Sequence, residues 1–495
     1  MDEHTISEKN MFQFDNTYAR LPEAFYARVD PARVPKPELI KWNGDLAGQL
    51  GAQDKDYSDA QLANIFSGQR LLPGSEPIAM AYAGHQFGNF VPRLGDGRAL
   101  LLGEVLDPSG RRHDIQLKGS GRTPFSRRGD GKAPLGPVLR EYIVSEALHH
   151  LGMPTTRSLA AVKTGEPVYR EKTLPGAILT RVASSHIRVG TFEYFASQQD
   201  LDNLRRLTAY SIQRHYPEVQ NESQTYLHFF RKVGQAQVEL VTGWMALGFI
   251  HGVMNTDNMS IAGESIDFGP CAFMDQFRFD QVFSSIDQFG RYSYSNQAQI
   301  TLWNLSRLGS CLLLLNQEGS TDKTNEWNQE LEAFGSLFEH RHTSKMLEKL
   351  GVFDSQQPTD RDLIQKWLRY LEDEKLDYTL SFRKLAGLVD PDTGSDTFER
   401  TSAFQDFFQH WQERIHHQGL DARTIQDRMN RVNPVFIPRN HKIEEVIEAG
   451  LKDDFSPFHE MNQVLQNPFE EQKEFSSYQL APRPEETVRA TFCGT

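Results

Sequence analysis

The sequence predicts an α+β protein of two lobes, a small strand-rich lobe followed by a larger helical one, with a cleft between them. Three observations predict it. Between Met80 and Ala183, short apolar runs alternate with turns bearing Gly and Pro, the texture of β-strands. After Thr191 the apolar residues fall at helical spacing instead, as in Val238, Val241, Met245 and Phe249. Beyond about residue 320 only amphipathic helices are read, over 362–374, 397–417 and 443–451.

Taken in order, residues 1–80 hold Pro31, Pro35, Pro37 and a predicted helix over 38–50. Too few periodic apolar segments stand there for a separate core, so they read as an extension packed on something larger. Residues 81–190 form the strand-rich lobe. Residues 89–105 read as strand, tight turn at Gly95-Asp96-Gly97, and strand, and 113–117 as a third strand ending at Lys118. A loop dense in Gly, Pro, Ser and Arg covers 119–136. A helix follows from Pro137 on Val138, Tyr142, Ser145 and Leu148, closed by Gly152 and Pro154. Residues 168–183 read as further strand with Pro175-Gly176 as its turn. Residues 191–330 form the helical lobe, with one helix ending near Gly252 and another over 301–315, and 331–495 form a helical C-terminal extension.

Composition removes several function classes. The 495 residues are 38% hydrophobic, enough for well-buried cores. A net charge of -13 argues against a general nucleic-acid binder, which needs a basic surface. Three cysteines, Cys271, Cys311 and Cys493, are too few for a disulfide framework and point to a reducing compartment. No apolar run reaches membrane-spanning length, and the polar, acidic first residues lack a signal core. A cytoplasmic protein is expected, with no nucleic-acid or membrane partner.

The chemistry concentrates in two places. Residues 111–132 carry seven Lys or Arg (111, 112, 118, 122, 127, 128 and 132) against two Asp, interleaved with glycines. Glycines let backbone N–H groups approach anionic oxygens, and the cations add charge-assisted hydrogen bonds, so the patch reads as a polyphosphate site. The second place is 251–269, where Asp257 and Asn258 stand in a polar loop ten residues before Asp267-Phe268-Gly269. Such oxygen donors suit Mg²⁺, and a remaining carboxylate can accept a proton from a hydroxyl. The order of parts, namely Gly-rich turn, strand lysine, helix glutamate, His-to-Asn loop and Asp-Phe-Gly, is that of a protein-kinase-like fold. In that order Lys118 meets phosphates and Glu141 is its expected ion-pair partner, with Glu146 as the competing choice. Val253 stands where the proton-accepting Asp of a kinase loop would be, and Asp257 is the nearby carboxylate able to replace it.

Long blocks also resemble the selenoprotein O (YdiU) family: GHQFGNF at 84–90, RLGDGRALLLGE at 93–104, QLKGSGRTPFSRRGDGKAPLGPVLRE at 116–141, LTRVASSHIRVGTFEYF at 179–195, HGVMNTDNMSI at 251–261, IDFGPCAFMD at 266–275 and NPVFIPRNHKIEEVIEAG at 433–450. The resemblance implies a pseudokinase fold that binds ATP in a flipped orientation and moves AMP to Ser, Thr or Tyr hydroxyls of proteins, releasing pyrophosphate. It implies ATP contacts for Gly95, Gly97, Arg98, Lys118, Asp130, Gly131, Arg181, Arg188 and Asp267. Asn258 and Asp267 would hold Mg²⁺, with Mn²⁺ as the alternative, and Asp257 would be the proton acceptor, for which an ordinary ionised carboxylate suffices. It also suggests redox control through Cys493 and Cys271. The alternatives are a kinase that transfers the γ-phosphoryl to a protein or small molecule, against which Val253 speaks, and a nucleotide-binding pseudokinase scaffold, against which Asn258 and Asp267 speak.

Overall fold

The computed structural model describes residues 11–316, 322–390, 398–399 and 401–492. Its N-terminal part is built on one antiparallel sheet. In chain order its elements are β1 (Tyr26–Arg28), β2 (Glu38–Trp42), α1 (Gly44–Gln49), α2 (Asp59–Phe66), β3 (Ile78–Met80), β4 (Gly84–Gln86), β5 (Asn89–Val91), β6 (Ala99–Leu106), β7 (Arg112–Lys118), β8 (Ala133–Pro134), α3 (Leu135–His150), β9 (Arg157–Tyr169) and β10 (Thr173–Ala183). The strand order is β1-β3-β6-β7-β10-β9-β2, with β8 added to β10, and β4 and β5 pair apart as a small hairpin. Strand alternation sorts β7: Ile115 and Leu117 join a core shared with Leu46, Leu62 and Phe66 of α1 and α2, so Asp114, Gln116 and Lys118 belong to the other face. That other face carries α3, which is buried along nearly its whole length.

The C-terminal part is helical. It runs through α4 (Val189–Ser197), α5 (Leu201–His215), α6 (Thr225–Leu247), the short pair β11 (Phe249–Ile250) and β12 (Ala272–Phe273), and α7 (Gln297–Leu313). Then come α8 (Asp322–Lys349), α9 (Asp360–Asp373), α10 (Tyr378–Ala386), α11 (Ser402–His417), α12 (Ala422–Val432), α13 (Asn440–Gly450) and α14 (Ser456–Val464). One continuous apolar core joins α3 to these helices, and α13 and α14 pack back on α3. Among the described residues, no helix is long and apolar enough to cross a membrane.

Several expectations are corrected. Residues 38–42 form strand β2 rather than the start of a helix, because the edge of β9 offers them a ladder of backbone hydrogen bonds. The helix starts only after Asn43, whose side chain accepts from Leu46 N at 3.1 Å. Gly95-Asp96-Gly97 does not join two paired strands. β5 pairs with β4, while Leu94 and Gly95 donate to Tyr82 O and Asp96 N to Met80 O. Pro175-Gly176 is not a turn either: the chain reverses at Arg170–Lys172, and Pro175 faces Pro167 beside a register shift. The helix carrying Val238, Val241 and Met245 ends at Leu247, where Gly248 caps it at φ 71°, and Phe249 pairs with Phe273 as strand. Residues 1–80 are less of an extension than expected, since β1, β2 and β3 are strands of the main sheet. Of the expected 397–417 helix, residues 397 and 400 lie outside the described residues, 398–399 are not helical, and the helix begins as α11 at Ser402, where Thr401 Oγ1 accepts from Phe404 N at 3.2 Å.

Candidate active site

A cavity of about 870 Å³ opens between the sheet and the helical part. Gly95, Gly97, Arg98, Lys118, Asp130, Gly131, Arg181 and Arg188 line it on one side, and Val253, Asp257, Asn258 and Asp267 on the other. Residues far apart in sequence thus share one space.

At its base lies a buried charge cluster. Lys118 Nζ is 2.5 Å from Glu141 Oε2 and 3.2 Å from Asp267 Oδ1. Arg181, opposite Gln116 on the neighbouring strand, also pairs with both Glu141 and Asp267. Arg188 Nη1 adds a contact of 3.4 Å to Asp267 Oδ2 and donates to Asp257 O at 3.0 Å. Burial opposes charge on Asp267, but Arg181, Lys118 and Arg188 outweigh it and hold the carboxyl well below the usual carboxylate range. Burial, with Arg181 close by, pushes the Lys118 ammonium down. Asp267 itself sits at φ 65°, an uncommon conformation for a non-glycine residue. Glu146, the competing helix glutamate, lies elsewhere and binds Arg157 at 2.7 Å and Ser158 N at 2.9 Å.

The loop after β7 folds over the turn before β6. Gly95 (φ 69°) and Gly97 pack so closely on Phe125 that a Cβ on Gly95 would lie 2.2 Å from its ring, and one on Gly97 2.9 Å from its carbonyl oxygen. Gly131 (φ 71°) meets Gly121 O, which a Cβ would approach to 2.0 Å. Not all of the basic run faces the cavity. Arg127, Arg128 and Lys132 line it, whereas Arg111 and Arg112 lie at the far end of β7 on Asp107 and Asp15, and Arg122 braces Gly129 O. Asp130 is held by Arg170 at 2.9 and 3.1 Å and by Lys132 N at 3.0 Å.

Opposite this wall stands the 251–269 loop. His251 is buried, stacks on Trp244 and lies 2.8 Å from Ile266 O, tying the loop to the Asp267 segment. Asn258 Nδ2 donates to Val253 O at 3.0 Å, which fixes the direction of its amide oxygen. Asp257 is buried, and its Oδ1 has no hydrogen-bond partner. It is not the ordinary carboxylate the sequence suggested: burial pushes it up to about 6, against the pull of Gln86 and Arg188. Among the described residues no group of three or more His, Cys, Asp or Glu could hold a metal by itself. Asn258 and Asp267 offer an all-oxygen pair, which fits a hard cation that takes its other ligands from water and phosphate oxygens.

Sequence reasoning missed Arg170, Gln86, Tyr82 and Asp96, which also line the cavity. Arg170 lies in the β9–β10 turn, where no motif marks it, and Gln86 lies unassigned inside GHQFGNF. Cys271 is buried beside Phe268 O, while Cys493 lies outside the described residues.

The family model described as "Protein adenylyltransferase SelO" matches residues 9–466. The protein nucleotidyltransferase YdiU of Rhizobium meliloti (strain 1021) is 51% identical over 489 residues, 98% of this chain and 99% of the relative. That of Rhodopseudomonas palustris (strain ATCC BAA-98 / CGA009) is 54% identical over 489 residues, with the same coverage.

Proposed function

This chain belongs to the SelO family of protein adenylyltransferases, and from that premise we propose how its cleft moves AMP from ATP to protein hydroxyl groups. The observation that carries the reading is Asp257: a largely buried carboxylate that lines, together with a wall of Arg and Lys, one nucleotide-sized cavity. The two parts of the chain read as the lobes of a protein-kinase-like fold, residues 81–190 and 191–330, with 331–495 as a helical extension. The Lys118–Glu141 pair joining strand and helix supports that reading.

ATP lies flipped, with its phosphates against Arg98, Lys118, Arg127, Arg128, Arg181 and Arg188. The tight backbone at Gly95, Gly97 and Gly131 keeps the wall low enough for oxygens to approach. Asn258 and Asp267 hold Mg²⁺ or Mn²⁺, which when bound neutralises charge on the phosphates. The Asp257 carboxylate accepts the proton of a Ser, Thr or Tyr hydroxyl as that hydroxyl oxygen bonds to the α-phosphorus. The bond from the α-phosphorus to the bridging oxygen breaks, and pyrophosphate leaves among the basic side chains. A carboxyl near 6 is mostly ionised at neutral pH yet basic enough to hold the proton.

Redox control fits the tail. Thr491 donates from Oγ1 to Pro270 O at 2.5 Å and from N to Phe283 O at 2.7 Å, which brings the chain to the neighbour of Cys271 two residues before Cys493. A Cys271–Cys493 disulfide would tie the tail to the segment that carries Asp267, and thiol counting with and without reductant tests it. A cytoplasmic setting accords with the low cysteine content.

Paired incubations with ATP labelled at the α- or the γ-phosphate, Mg²⁺ and a protein acceptor test the main reading. Protein-bound label from the α-position alone is expected. Label from the γ-position alone overturns it in favour of a kinase.

A further inference from the structure

The β4–β5 hairpin stands outside the main sheet and lies on the loop that carries Asp257. Three successive residues of it bond to three successive residues of that loop. His85 N donates to Thr256 Oγ1 at 2.7 Å, Phe87 N donates to Asn255 Oδ1 at 3.0 Å, and Gln86 Nε2 donates to Asp257 Oδ2 at 3.2 Å. The first two are donated by the backbone and seat the hairpin. The third uses a half-buried side chain at the cavity wall and reaches only the carboxylate. Gly84 brings the hairpin this close, since a Cβ there would lie 2.4 Å from Asp257 Oδ1.

The two oxygens of Asp257 are therefore unlike. Oδ2 is held by Gln86, while Oδ1 is buried with no partner. Arg188 donates to the Asp257 backbone carbonyl at 3.0 Å. We propose that Gln86 is a positioning residue for AMP transfer, fixing through Oδ2 the plane in which the Asp257 carboxylate meets the acceptor hydroxyl, while Oδ1 is seated against Gly84. An amide suits this task better than Lys or Arg. A cation on Oδ2 would lower the basicity of the carboxylate, whereas a neutral donor fixes its plane and leaves most of its charge available. The inference rests on the role of Asp257 stated above.

The test uses the full-length protein, casein as acceptor and α-labelled ATP. Gln86→Met keeps the length of the side chain and removes the donor. The expected result is a fall in kcat of roughly ten- to a hundred-fold, the scale of a misplaced reacting group. The KM for ATP and the melting temperature should stay at the wild-type values. In an Asp257→Asn background the same substitution should add less than about a twofold loss, because residues acting as one unit are not additive. An unchanged kcat in Gln86→Met, a rise in the KM for ATP matching the loss, or an equal loss in both backgrounds each overturns the positioning role. Wild-type transfer by Asp257→Asn removes the base assignment itself, and the inference with it. Loss in Asp257→Asn beside an intact Gln86→Met removes the inference alone.

Discussion

Glu141→Gln tests the electrostatic base of the site. Glu141 is 3% exposed and carries two cations, Lys118 at 2.5 Å on one oxygen and Arg181 on the other. With Asp267 it balances Lys118, Arg181 and Arg188, so the five side chains carry a net charge of about +1 when all are ionised, and a neutral amide in place of the Glu141 carboxylate would leave about +2 in a buried volume. Breaking a buried pair by removing one partner costs about 3–5 kcal/mol. Unfolding entropy of about 2.1 cal/mol/K per residue over the 495 residues gives about 1 kcal/mol/K, so a cooperative transition should fall by about 3–5 °C. Differential scanning calorimetry without nucleotide reads this shift, and α-labelled transfer reads the expected loss of kcat as Lys118 loses its anchor. A melting temperature within about 1 °C of wild type together with full activity would refute the reasoning, because the cluster would then carry neither fold nor site.

Asp267→Ala should abolish transfer by removing a metal oxygen ligand, and retained transfer at saturating Mg²⁺ counts against the assignment. Gly131→Ala places a Cβ 2.0 Å from Gly121 O at φ 71°, so calorimetry should find ATP binding weakened at least tenfold (about 1.4 kcal/mol) as the loop shifts. Lys349 is buried on Asn433 Oδ1 at 2.7 Å and on the Phe382 ring at 4.2 Å, and burial pushes its ammonium down to about 7. The folded protein thus binds this proton less tightly than the unfolded chain, so its contribution to stability is complete above the unfolded pKa and is lost as pH falls toward about 7. Denaturant unfolding between pH 7 and pH 9 should give wild type a rise of up to about 1.4 kcal/mol per pH unit over Lys349→Met, and parallel curves refute it.

Much of this site is legible in sequence because local rules place it. The alternation of residues 114–118 fixes the face of Lys118, helical spacing sets Glu141 inward, and the polar 251–269 loop announces its oxygens. The run of basic residues was legible as a composition, but not which of them face the cavity, since Arg111 and Arg112 differ from Lys118 only by position along one strand.

What the sequence by itself determined was the order of textures, strands then helices, and the chemical types of the site, because both depend on near neighbours. What only the tertiary structure decided was pairing across distance. Residues 38–42 became strand because β9 was there to bond them, and Pro175-Gly176 stayed extended because β9 ran beside it. Asp257 rises to about 6, and Gln86 gains a partner, only when a hairpin 171 residues away in sequence closes over the carboxylate and excludes water. Burial and long-range contact set these properties, and neither is a property of a residue's neighbours along the chain.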